Sequence, residues 1–186
     1  MDNKRLFAAI RFYPDEQFTD TYTHLKQALD HNIIKWVDIQ NVHITLKFIG
    51  ETIPDEIPAL QEALSKACEG ISPFELQIAK TGIFGSRYNP KVIWFGIDEN
   101  PMLMKLVKQV SFQLEEVGIL GDRQNFVPHL TVGRIREIRD KNHFQQLMDC
   151  FRDLNLQKQA IEGFDLYESI LQREGPQYNV IESYRF

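Results

Sequence analysis

A short pattern occurs twice, 86 residues apart: Asn41-Val42-His43-Ile44-Thr45-Leu46 and Val127-Pro128-His129-Leu130-Thr131-Val132. The same offset lays Arg5-Leu6-Phe7 on Lys91-Val92-Ile93, the helical periodicity near 55–69 on 141–155, and the strand-like run near 74–80 on 160–166. A register that persists through several elements marks an internal duplication, with equivalent halves at about 5–85 and 91–172. The expected product is an α+β fold in one two-lobed domain spanning 1–186. Related lobes facing each other bring their equivalent strands to a central groove.

The elements expected in the first half are a strand at 5–12, a helix from about 15 to 30 with Asp15 as its N-cap, a strand at 41–49, a helix at 55–69 and a strand at 73–81. The second half repeats them as a strand at 91–97, a helix at 101–117, a strand at 127–135 and a helix at 140–153. A last strand pair, 158–172 and 177–185, is joined through Arg173-Glu174-Gly175-Pro176, which is good turn chemistry.

A pleated strand sends residues i and i+2 to the same face, so each His shares a face with its Thr. Around the first motif Val42, Ile44, Leu46 and Phe48 form the apolar set, and Asn41, His43, Thr45 and Lys47 the polar one. Strict alternation therefore puts Lys47 beside the first His-x-Thr. In the second motif it puts Arg134 on the core side, so Arg134 reaches a groove only if the strand ends, twists or bulges near Gly133. Pro128 removes a backbone donor, so that strand begins there or lies at an edge.

Two histidines from opposite sides of a groove can act as general base and general acid on a phosphodiester, because imidazole titrates near neutrality. Two threonine hydroxyls beside them would donate to non-bridging phosphate oxygens, and an Arg would neutralise the charge that grows in the transition state. A single His on a half-buried strand is more often a structural residue; the duplication reverses that preference. Zinc usually needs a third protein ligand, and no neighbouring His, Cys, Asp or Glu has ligand spacing, so neither a metal nor another cofactor is expected. His24, His31 and His143 have no repeated partner and are expected to face solvent.

The net charge of −5 argues against a broad basic surface that grips long nucleic acid through many phosphates. A local positive site from Lys47, Arg87, Lys91, Arg134 and Arg136 stays open, although charges at such spacings are commonplace on solvated faces. Cys68 and Cys150 lie far apart, and no segment reads as a signal peptide or a membrane span, so a reduced cytoplasm is the expected compartment.

These residues resemble the two-histidine phosphoesterase superfamily, and within it the bacterial and archaeal RNA 2′,3′-cyclic phosphodiesterases, also known as RNA 2′,5′-ligases. The similarity runs through Arg5-Leu6-Phe7-Ala8-Ala9-Ile10, Trp36-Val37, Asn41-Val42-His43-Ile44-Thr45-Leu46-Lys47-Phe48-Ile49-Gly50, Phe126-Val127-Pro128-His129-Leu130-Thr131-Val132-Gly133-Arg134, Leu166-Tyr167-Glu168-Ser169 and Gly175-Pro176 with Tyr178. It implies a bilobal α+β fold with pseudo-twofold symmetry, antiparallel sheets lining the groove and helices outside, and opening of a 2′,3′-cyclic phosphate at an RNA end to a 2′-phosphate, with His129 as base, His43 as acid, and Thr45, Thr131 and Arg134 holding the phosphate. It implies RNA ends or nucleotides as partners; no membrane partner is expected, and the chain is expected to be a monomer. Phe84, Arg87 and Tyr88, in a loop expected at 81–88, fall where relatives carry an aromatic and basic segment, but Phe84 serves equally well in the core, and the three stay outside the expected site. Two other readings remain: a phosphodiesterase for 2′,5′-linked oligonucleotides or other small cyclic phosphates, and a non-catalytic module that binds RNA ends.

Overall fold

The computed structural model describes residues 2–121, 125–173 and 175–186. Among them nine strands and four helices follow in the order β1 (Lys4–Arg11), α1 (Glu16–Ala28), β2 (Ile33–Trp36), β3 (His43–Thr52), α2 (Ile57–Lys66), β4 (Phe74–Ser86), β5 (Asn89–Ile97), α3 (Pro101–Glu116), β6 (His129–Glu137), α4 (Lys141–Cys150), β7 (Asn155–Ile161), β8 (Gly163–Leu171) and β9 (Pro176–Arg185). They form two antiparallel sheets, β3-β1-β8-β9 and β2-β6-β5-β4-β7.

Local chemistry starts the helices where the sequence places them. The Asp15 carboxylate accepts from the Phe18 amide at 2.8 Å, Asn100 accepts from the Met102 and Leu103 amides, and Asp140 accepts from the His143 amide. Each satisfies donors that the first helical turn leaves unpaired. Along α3 the fully buried Leu103, Leu106, Val110 and Leu114 recur at helical spacing and turn one stripe onto the core. In β1, Leu6 through Ile10 are all buried, as expected of a strand covered on both faces. Leu6, Ala8 and Ile10 join the main core, whereas Phe7 and Ala9 pack with Tyr167 and Tyr178 on the other side.

Three expectations about strands need correction. The continuous strand expected at 158–172 is two strands, β7 and β8, and the chain changes sheets between them. Gly163 permits the crossing, since a Cβ there would lie 2.0 Å from the Tyr184 carbonyl oxygen. The segment 81–88, read as a loop, mostly extends β4, which turns into β5 through Arg87 and Tyr88. β2 was not foreseen; its four residues are too short to show a period, yet they pair with β6 from Trp36↔Gly133 to Ile33↔Glu137. β6 thus begins beside Pro128 as expected but is not an edge strand. The expected turn between β8 and β9 has Glu174 outside the described residues.

The sequence halves exchange strands. β4 belongs to the first half but pairs with β5 and β7, and β8 belongs to the second but pairs with β1 and β9. Neither half retains all the neighbours its strands require. A fragment ending after residue 88 is therefore expected to be unfolded by circular dichroism, while the whole chain melts in a single cooperative transition. A folded isolated half would contradict this.

Candidate active site

β3 and β6 start at His43 and His129, and their backbones fix the two imidazoles in the same way. His43 Nδ1 lies 2.7 Å from the Asn41 carbonyl oxygen, and His129 Nδ1 lies 2.7 Å from the Val127 carbonyl oxygen. A carbonyl only accepts, so Nδ1 carries the proton in each ring and Nε2 is left to exchange one. Aromatic rings hold the imidazoles from the side. His43 has the Phe7 ring at 5.0 Å and the Tyr178 ring edge-on at 5.2 Å; His129 has Phe84 edge-on at 4.7 Å.

Both strands bulge one step beyond the His-x-Thr. In the β1–β3 ladder Ala8 pairs with Lys47 and Ala9 with Thr45, leaving Leu46 as the extra residue. In the β5–β6 ladder Ile93 pairs with Gly133 and Trp94 with Thr131, leaving Val132 as the extra residue. These are equivalent positions at the 86-residue offset. A bulge reverses the pleat beyond it, so Leu46 and Lys47 both turn inward, as do Val132 and Gly133. Phe48 and Arg134 then emerge on the groove side with Thr45 and Thr131.

This bulge corrects the expected face of Lys47. Its side chain is 2 % exposed, and Nζ donates to the Leu120 carbonyl oxygen at 2.8 Å, away from the groove. Phe48, expected in the core, is 59 % exposed. Arg134 reaches the groove by the bulge near Gly133 that its expectation required. Gly133 itself is closely covered: a Cβ there would stand 3.0 Å from Ile34 and 3.2 Å from Trp36 on β2.

The groove has a volume of about 1270 Å³ and is lined by His43, Thr45, His129, Thr131 and Arg134 together. Its described walls also carry Arg5, Lys26, Lys35 and Arg136, against a single carboxylate, Asp38. A chain with a charge of −5 therefore presents a locally positive groove. Of the cations grouped from the sequence, Arg134 and Arg136 are in it, Lys47 is buried, and Arg87 and Lys91 belong to the β4–β5 hairpin outside the lining. His24, His31 and His143 are exposed as expected.

Burial is the main reason both histidines sit below the ordinary imidazole range. The Nδ1 bonds to Asn41 and Val127 oppose that fall; Arg134 adds to it at both rings, and His129 adds to it at His43. Tyr178 is pushed up by burial, while Arg134 and Arg5 pull it back. Its hydroxyl thus shares the field of Arg134 with the histidines.

Sequence reasoning left Phe84, Tyr178 and Phe48 out of the site. Phe84 is placed by Trp94, 5.5 Å away, whose ring lies over Gly82; a Cβ on Gly82 would come within 2.2 Å of that ring. Gly82 facing Trp94 across the hairpin is a signal that only the β4–β5 register makes readable. Among the described residues no group of three His, Cys, Asp or Glu side chains is arranged to hold a metal ion, and no helix is long and apolar enough to cross a membrane.

Residues 13–94 and 96–178 match the family described as LigT like phosphoesterase, and the chain belongs to that family. Among its relatives is an RNA 2′,3′-cyclic phosphodiesterase of Thermotoga maritima, 31 % identical over 151 residues that cover 81 % of this chain and 79 % of the relative. Another of the same name, from Aquifex aeolicus, is 28 % identical over 180 residues and covers 95 % of each chain. The fold is shared with TT0787 of Thermus thermophilus, at a TM-score of 0.77 with 23 % identity and 97 % of each chain covered. It is shared too with Escherichia coli LigT complexed with 3′-AMP, at 0.75 with 22 % identity over 100 % of this chain and 99 % of the other.

Proton titration of the two rings by NMR should give midpoints below about 6.5 for both. Arg134→Met should raise both, because it removes a positive charge that disfavours imidazolium. Phe84→Ala should raise His129 more than His43 by admitting water to the more open ring. Midpoints at or above the ordinary value, or a fall in Arg134→Met, would contradict these electrostatics.

Proposed function

We propose that this chain is an RNA 2′,3′-cyclic phosphodiesterase that opens the cyclic phosphate at an RNA 3′ end to a 2′-phosphate. In this reading it acts as one two-lobed domain, as a monomer and in the cytoplasm. The observation that carries the proposal is the equivalence of the two imidazoles: each is tied through Nδ1 to the carbonyl two residues before it, which leaves both Nε2 atoms for proton transfer.

His129 takes a proton from water through Nε2 as the water oxygen attacks phosphorus, and His43, protonated, gives its Nε2 proton to the departing ribose O3′. The P–O3′ bond breaks as the new P–O bond forms, so the phosphate stays on O2′. Thr45 and Thr131 donate to the non-bridging oxygens, and Arg134 offsets the negative charge that develops there. The depressed basicity of both rings suits this assignment. The base is neutral near pH 7 in the free groove, and the anionic substrate raises His43 toward the protonated form that the acid must have.

The same steps with an RNA 5′-hydroxyl in place of water would form a P–O5′ bond as the P–O3′ bond breaks, so 2′,5′ ligation is a side activity of the same groups, driven by substrate concentration. A module that only binds RNA ends has no need for two imidazoles with free Nε2 atoms.

The decisive measurement is hydrolysis of adenosine 2′,3′-cyclic phosphate in EDTA by the wild type, His43→Ala and His129→Ala, with the phosphate position in the product determined by NMR. Each substitution should lower kcat by about 10²–10⁴ without a comparable loss of thermal stability, and the wild-type product should be the 2′-phosphate. The profile of kcat/KM against pH should be bell-shaped, with limbs displaced to the acid side of ordinary histidine. A 3′-phosphate product, or turnover indifferent to both substitutions, would overturn the reading.

A further inference from the structure

The groove holds more than the chemistry needs. Its volume of about 1270 Å³ exceeds the roughly 300–1,000 Å³ of sites that enclose one small molecule. The part beyond the histidines is bounded by β6, the edge strand β2 and α1, and it carries Arg136, Lys35 and Lys26. None of these three has a part in the proton transfers described above.

Their arrangement is unfavourable for the empty protein. Lys35 and Arg134 are direct cross-strand partners, and both are exposed on the groove side. Like charges placed opposite one another in a ladder are destabilising. Arg136 follows Arg134 on the same strand, and both line the groove. Among the described residues no ion pair is formed by Lys26, Lys35, Arg134 or Arg136, whereas Lys4, Lys66, Lys80, Arg139, Arg152 and Lys158 each meet a carboxylate elsewhere on the surface. Asp38 is the one acid in the described lining, and its carboxylate accepts from the Gln40 amide. A row of cations kept together against their own repulsion suits a ligand that brings a row of anions.

Geometry narrows that ligand. Residues two apart on a strand are spaced by about 6.6 Å, a separation that neighbouring phosphates of an extended single strand can match. Trp36, edge-on to Tyr22 at 5.8 Å, also lines the groove and adds an aromatic surface to it. Aromatic and cationic side chains together are what a single strand of nucleic acid needs for its bases and phosphates.

We propose that Lys26, Lys35 and Arg136 form a track for the phosphates that precede the cyclic end, and that the preferred substrate is therefore a single-stranded oligonucleotide 3′ end and not a mononucleotide. The proposal rests on the phosphodiesterase reading and adds to it the length of the substrate. It is compatible with the net charge of −5, because the cations are concentrated where the substrate would lie and the acids are elsewhere.

The test compares adenosine 2′,3′-cyclic phosphate with a six-nucleotide RNA ending in the same group, for the wild type, Lys26→Gln and the double variant Lys35→Gln/Arg136→Gln. The wild type should favour the hexamer in kcat/KM by tenfold or more, and that advantage should fall as salt is raised. The double variant should lose most of the advantage, and its log–log salt slope should be shallower by about 1.4, or about 0.7 for each single-strand phosphate that is no longer neutralised. Lys26→Gln should have about half that effect. Lys35→Gln should melt no lower than the wild type, since it relieves a repulsion. Equal kcat/KM for the two substrates, or a double variant that slows both by the same factor, would overturn the track. Fluorescence anisotropy with a hexamer ending in a 2′-phosphate reads the track without turnover. If neither cyclic substrate is hydrolysed but the hexamer binds with this salt slope and the double variant weakens it, the catalytic reading fails and the track stands. If the hexamer binds without salt dependence, or equally to the double variant, the track fails.

Discussion

An uninterrupted β-strand offers every second side chain to a face, which is enough to align a His with a Thr but commits the next groove-side position to the residue after that. In this protein one additional residue in β3 and one in β6 break that sequence just past each Thr. Two consecutive residues turn inward, and the position three beyond the Thr returns to the groove. The guanidinium of Arg134 can stand over the same space as both imidazoles only because of this interruption. Without it the cation would lie in the core, where an unpaired charge is not tolerated.

Because the bulges are equivalent, the differences between them break the symmetry of the site. The inward position is Lys47 in one half and Gly133 in the other; the emergent position is Phe48 in one and Arg134 in the other. Gly133 suits the close cover of β2, where a side chain would press on Ile34 and Trp36. Lys47 instead reaches across to the Leu120 carbonyl oxygen, linking β3 to the segment ahead of β6. The groove acquires a charged side and an aromatic side from two copies of one motif. A symmetric pair of imidazoles thereby receives an asymmetric surrounding, which suits the different roles of acid and base proposed for them.

Exchange of β4 and β8 between the sequence halves ties the two halves together around the groove. Two of the aromatic neighbours of the histidines arrive by this route: Phe84 comes on β4 to His129 on β6, and Tyr178 comes on β9, next to β8, to His43 on β3. Each imidazole is thus held by its own backbone at Nδ1 and by a ring from elsewhere in the chain. The burial that this achieves is also the chief cause of the lowered basicity of both rings. Structural support and tuning of the proton affinity are one and the same packing.

The sequence by itself determined the duplication, the helix starts, the α+β class and the pairing of His43 with Thr45 and His129 with Thr131, because these depend on short-range periodicity and on caps a few residues long. Tertiary structure decided the rest. Whether Lys47 or Phe48 faces the groove depends on a bulge, and a bulge is a relation between two strands that no single strand's pattern contains. The four-residue β2 exists because β6 offers it a ladder, and the break at Gly163 exists because β7 and β8 pair in different sheets. The positive groove was invisible for the same reason: Arg5, Lys26, Lys35, Arg134 and Arg136 are scattered over more than 130 residues of an acidic chain. Only the pairing of β2 with β6 and the packing of the sheets face to face collect them in one place.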